Sequence, residues 1–147
     1  MKKYKLTSDF IVINNIKLYR IQALGDINKI DIKNGDLGGY IEKESNLSHS
    51  DNAWVYDNAK VYDNAEVFGN AKVYGNAEVY GNAKVYDNAN VFGNAKVFGN
   101  AEVFGNAWVD GNAKVYGDAN VFGNAWVFDN TKVYGNARVS GHKVHTN

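Results

Sequence analysis

From Asp51 to Ser140 the chain repeats one hexad, [Gly/Asp]-Asn-Ala-X-Val-[Tyr/Phe], fifteen times without an insertion. Val is kept in every copy, Ala gives way only to Thr131 and Asn only to Asp118, while the aromatic is lost at Asp110 and Ser140. A degenerate hexad, Ser45 to Ser50, precedes them. Self-similarity at a fixed short period is the signature of a solenoid.

The hexad states its own local structure. Ala and Val are two apart, so an extended backbone turns both to one face and X to the other. X is Lys, Glu, Asn, Trp or Arg, residues suited to the outside. Gly-Asn or Asp-Asn then turns the chain, because both types tolerate positive φ. A helix is excluded: six matches neither 3.6 nor 3.5, and a Gly-Asn step in most copies would break it. Strands this short cannot bury a core as hairpins. Stacked coils can, with Ala and Val in columns up the middle. At roughly 1.5–3 kcal/mol per buried Val, the columns supply on the order of tens of kcal/mol before chain entropy opposes them.

The X residues select the coil length. At a step of 18 they fall into columns Trp54-Lys72-Asn90-Trp108-Trp126, Lys60-Glu78-Lys96-Lys114-Lys132 and Ser48-Glu66-Lys84-Glu102-Asn120-Arg138. All three Trp share one column, and the last column nearly alternates in sign. A step of 12 would separate Trp108 from the other Trp and stack Lys60, Lys72, Lys84 and Lys96. Rungs lie about 4.8 Å apart, so that ladder is repulsive. The expectation is 18 residues per coil and five full coils from the hexads.

Asn52-Ala53-Trp54-Val55 and its copies resemble the left-handed parallel β-helix of the hexapeptide-repeat superfamily. The aromatic after Val, where that superfamily commonly has a small residue, is similar to YdcK-like and prophage-borne aromatic hexapeptide-repeat proteins. Asn34 to Ser48 also looks typical of how that group leads into its helix. The resemblance spans roughly residues 34–140. It implies an all-β left-handed parallel β-helix, and it implies a phage or mobile-element product.

Outside the hexads the chain reads differently. Phe10–Ile13 and Ile16–Leu24 are strand-like, with Asn14-Asn15 as a hairpin turn. Residues 1–44 are expected to form a β-rich cap over the first coil, the alternative being a recognition module. Residues 45–140 form the helix, and 141–147 a polar tail. The tail can barely cover a triangular coil, and open coil ends invite pairing. The expectation is a homodimer through the last coil, with Arg138, Val139, Ser140 and Val144 at the contact.

Composition narrows the function. Sixteen Lys+Arg balance sixteen Asp+Glu, and the hexads carry seven positive and ten negative side chains, so bulk capture of nucleic acid or anionic membrane is disfavoured. There is no Cys, hence no disulfide or thiolate metal site. The longest apolar run, Phe10–Ile13, is too short for a membrane span or a signal segment, so the expected place is the cytoplasm. The superfamily includes acyltransferases that use a His base in a cleft between subunits. Here His49, His142 and His145 all lie outside the regular hexads and no loop interrupts them, so no catalytic residue is assigned. His142-x-x-His145 lacks a third ligand nearby, so neither metal nor cofactor is expected. Lys96, Lys114 and Lys132 beside Phe98, Tyr116 and Tyr134 have the makings of a single-strand site, but the net charge opposes it. One Thr in the hexads does not make an ice-binding rank.

What remains is a protein-binding surface. Stacked Tyr and Phe are a property of the repeat, but Trp at X is not, and Trp is enriched in interfaces. The candidate face has Trp108 and Trp126 on adjacent coils, Asp110 as the one acidic residue in an aromatic ladder, and Tyr116 and Phe128 as a frame. Trp54 lies farther down the same column. The expected result is a flat apolar patch with a carboxylate at its edge. An acyltransferase-like enzyme and a phage structural or assembly protein are the alternative readings.

Overall fold

The computed structural model describes residues 2–141 and is all-β apart from two single-turn 3-10 segments, Asn28–Ile30 and Glu44–Asn46. Strand β1 (Tyr4–Ile13) pairs antiparallel with β2 (Ile16–Ala23), and β2 pairs antiparallel with β3 (Leu37–Ile41). The hairpin turn is at Asn14-Asn15, with φ of 50° and 68°. Positive φ at both central residues is what the twist of a two-residue hairpin asks for. Fifteen two-residue strands follow, from Trp54–Val55 to Arg138–Val139, one per hexad.

Each X-Val rung pairs in parallel with the rung eighteen residues on: Trp54 with Lys72, Lys60 with Glu78, Glu66 with Lys84. The protein is thus a parallel β-solenoid with eighteen-residue coils, as the Trp column implied. One five-stranded sheet carries the Trp54 to Trp126 column, and another runs from Glu66 to Arg138. The third sheet has eight strands, because β1, β2 and β3 extend the Lys60 to Lys132 rungs past the first coil. β3 pairs in parallel with the Lys60 rung, so stacking starts inside the segment read as cap. The like-charge ladder is not wholly avoided either: Lys96 faces Lys114, which faces Lys132.

The inward columns are dry. Every Ala and Val from Ala53 to Val127 is buried, with Thr131 taking an Ala place at 0% exposure. From Ala59 onward the N–H at each Ala place donates to the carbonyl three residues back, as Ala59 does to Tyr56. The first central residue alone has positive φ, the pattern of a type II′ turn. At Asp57, Asp63 and Asp87, which hold that place, the carboxylate accepts the corner N–H of the next coil. Asp57 accepts from Gly75 at 3.1 Å and Asp87 from Gly105 at 3.0 Å. This gives the Asp/Gly choice in the hexad a physical basis.

β1 and β2 close the N-terminal end. Tyr4, Ile21, Ala23, Ile27 and Ile32 join the Ala/Val core from above. The hairpin tip lies along the outside of the first rungs, where Ile11, Ile13 and Ile16 pack with Leu18 against Tyr40, Tyr62 and Tyr80. At the other end Ala137 and Val139 are only half-buried.

Candidate interaction face

Outside the core the aromatics form ladders. Tyr74 and Phe92 stack with centroids 4.8 Å apart and 1° between planes, and Phe98 and Tyr116 at 4.9 Å and 3°. A second rule overlies the first. The X side chain of one coil leans back over the ladder residue of the coil before it, sixteen residues earlier. Glu78 Oε1 thus accepts the Tyr62 hydroxyl at 3.0 Å, and Glu102 Oε1 that of Tyr86 at 2.7 Å. Burial, with the facing carboxylate, pushes both phenols above their ordinary range.

The same lean builds the Trp cluster. Trp108 meets Phe92 edge-on at 6.1 Å and 78°, and Trp126 leans over Asp110 so that its Nε1–H donates to Asp110 Oδ1 at 3.0 Å. Trp108 and Trp126 meet at 5.9 Å and 77°, and Trp126 rests on Phe128 at 4.9 Å. Trp108 is 45% exposed. The ladder Tyr74-Phe92 therefore sidesteps through two indoles around Asp110 before it resumes at Phe128.

Three parts of the sequence expectation need correction. The patch is not flat, because edge-to-face packing sets successive rings nearly perpendicular. Tyr116 does not frame it but stacks between Phe98 and Tyr134 in the neighbouring ladder. Trp54 points outward but is not on the surface: it is 0% exposed. The N-terminal segment covers it, with the Tyr4 ring edge-on at 6.2 Å and Lys3 Nζ 6.0 Å from its centroid. Among the described residues its indole N–H finds no acceptor. Phe92, absent from the sequence-derived set, is the wall of the cluster opposite Phe128. The sixteen-residue offset would have found it.

Of the dimer residues, Arg138 and Ser140 are exposed and Val139 half-buried. Arg138 lies over Phe122, its Cζ 5.2 Å from the ring centroid. Val144, like His142 and His145, lies outside the described residues.

Sequence reasoning also missed a polar cluster that fastens the cap. The His49 ring stacks on Tyr4 at 4.0 Å. Its Nδ1 accepts the Lys3 backbone N–H at 3.0 Å, so its Nε2 carries the proton that meets Glu44 Oε1 at 2.8 Å. The Tyr4 hydroxyl donates to the Leu47 carbonyl at 2.6 Å, and burial, with Glu44 adding, pushes it above the ordinary phenol range. Lys3 Nζ donates to the Ala53 and Asp51 carbonyls, and burial pulls its pKa down to about 8. Both His49 nitrogens are thus engaged within the cap. The geometry is that of a latch.

Among the described residues no group of three or more His, Cys, Asp or Glu could hold a metal ion. No helix there is long and apolar enough to cross a membrane. No protein-family model matches the chain, and a search of curated proteins finds no match.

Proposed function

We propose that the chain is a non-enzymatic binding solenoid whose face around Trp108 and Trp126 engages another protein. One observation carries the reading: Trp108, on a loop-free coil, is 45% exposed within a continuous cluster of aromatic rings. Exposed Trp held by packing costs little further entropy on binding, which is why such residues become hot spots. The resemblance to prophage-borne aromatic hexapeptide-repeat proteins supports a phage or mobile-element product, acting in the host cytoplasm to interfere with a host protein such as a defence component. The half-buried Ala137 and Val139, on the last rung of their sheet, support a homodimer through the last coil.

Capture from host lysate on immobilised wild type, followed by titration of the captured protein, tests the face. Trp108→Ala and Trp126→Ala are each expected to cost about 2 kcal/mol or more of affinity. Undiminished affinity in the double variant removes the face from consideration. Light scattering at high micromolar concentration tests the dimer, and a clean monomer refutes it.

A further inference from the structure

We propose that Asp110, walled by Phe92, Trp108 and Trp126, is a receptor for a guanidinium group: an arginine side chain presented by the partner protein. The inference rests on the reading of this face as a protein interface and states what the partner must bring to it.

Asp110 is the only acidic residue at an aromatic position of the hexads. Phe92 stacks flat on Tyr74 one coil before it, and the ring that would continue the stack is replaced by a carboxylate. That carboxylate is held on one side. Trp126 Nε1–H engages Oδ1 at 3.0 Å, while Oδ2 has no hydrogen bond and Asp110 no ion pair among the described residues.

The surrounding rings suit a cation. In edge-to-face contacts the edge of one ring meets the face of the next, so the rings stand as walls at 78° and 77° and do not close on one another. A cation is attracted to ring faces, most of all to Trp, and Trp108 is half open to solvent.

The scaffold already uses this chemistry on itself. Arg138 sets its guanidinium over Phe122 by the sixteen-residue lean, and Arg20 sets its own 4.3 Å from the Tyr40 centroid. Arg20 then donates from Nη2 to the Tyr40 hydroxyl at 2.6 Å and from Nη1 to the Gly38 carbonyl at 2.7 Å. A planar group with in-plane donors therefore fits where rungs stack rings 4.8–5.1 Å apart. Guanidinium combines that plane with N–H donors for Oδ2. An ammonium is a point charge without a plane, and a quaternary ammonium has no N–H to give.

The test uses the full chain labelled with nitrogen-15 and reads its indole N–H signals. The probe is N-acetyl-arginine methylamide, with the citrulline and lysine counterparts as controls. The arginine probe is expected to shift the Trp108 and Trp126 signals saturably and to leave Trp54 in place, while citrulline shifts none. Asp110→Asn keeps an acceptor for Trp126 and is expected to weaken the arginine probe about tenfold. Trp108→Ala is expected to weaken it as well, read from the probe-dependent shift of the Trp126 signal. Equal binding of the lysine or citrulline probe, an unaffected Asp110→Asn variant, or no saturable shift overturns the assignment. The two readings fail separately. Partner capture lost in Trp108→Ala but kept in Asp110→Asn leaves the interface and removes the guanidinium. Saturable arginine binding with no protein captured does the reverse.

Discussion

Trp54 and Trp108 occupy the same hexad position in the same sheet, three coils apart, yet one is 0% and the other 45% exposed. The backbone treats them alike: each pairs in parallel with the rung eighteen residues on. The difference comes from outside the repeat. Lys3 and Tyr4 arrive from the far end of the sequence, lie against Trp54 and convert an outward side chain into core. Around Trp108 the described residues in contact are those of the ladders themselves. The repeat decides which way a side chain points, and whatever lands on it decides whether it is surface.

The sharpest way to break this comparison is to truncate both rings. Trp54→Ala empties a site that nothing can refill and is expected to cost about 3–5 kcal/mol in denaturant unfolding. Trp54→Phe is expected to cost much less, since the indole N–H it discards has no acceptor among the described residues. A Trp54→Ala variant as stable as wild type would show that the cap does not depend on this ring.

Next in size is a comparison of corners. Gly117 and Gly135 both have positive φ, 69° and 64°. A Cβ on Gly117 would meet the Gly135 nitrogen at 2.8 Å, whereas none of the described residues lies within 4 Å of one on Gly135. Gly135→Ala should therefore cost about 1 kcal/mol for conformation alone, and Gly117→Ala about 3 kcal/mol, because overpacking against the next coil adds to it. Equal costs would mean that something covers the last coil as closely as coils cover one another.

The cap end is also expected to respond to pH. Burial pulls Lys3 from 10.5 down to about 8. Between those values the unfolded chain binds the proton that the folded one has released, so stability rises with pH, by about 1 kcal/mol after allowance for solvent screening. Above the ordinary tyrosine value of 10.0 the slope reverses, because half-buried phenols such as Tyr56, pushed up to about 12, keep protons that the unfolded chain loses. Unfolding midpoints should peak between these ranges, and Lys3→Met should flatten the rise while leaving the fall. The smallest effect is expected for Trp108→Ala on stability, about 0.5 kcal/mol or less, as for an exposed site. A larger loss would make its ring part of the core.

The coil was legible because its evidence is local and repeated: fifteen Val, a Trp column, a turn in each hexad. The Asn14-Asn15 hairpin was legible for the same reason. Trp54 was not, since its neighbours Lys3 and Tyr4 lie about fifty residues away and no periodicity links them. The His49 latch escaped likewise, joining Lys3, Tyr4 and Glu44 through contacts that only the closed cap creates. Within the candidate face, the column arithmetic brought Trp108, Trp126 and Asp110 together. It gave no ring angles, because these follow from how indoles lean across a coil. Charge patterning misled in one respect. Lys96, Lys114 and Lys132 stack directly, so backbone pairing and the valines behind them outweigh a repulsion that solvent screens.

The insertion-free coil also bears on how such a gene can change. Its hexads are near copies, a condition under which misaligned recombination adds or removes whole units. Loss of three hexads would shorten the stack by about 4.8 Å and leave every downstream face at its old bearing. Loss of one would rotate the downstream part by about a third of a turn against the cap, carrying the Trp108 face to another side of the triangle. Lineages derived from such a chain are expected to differ in length by multiples of eighteen residues wherever the bearing of that face matters, and by any multiple of six where it does not.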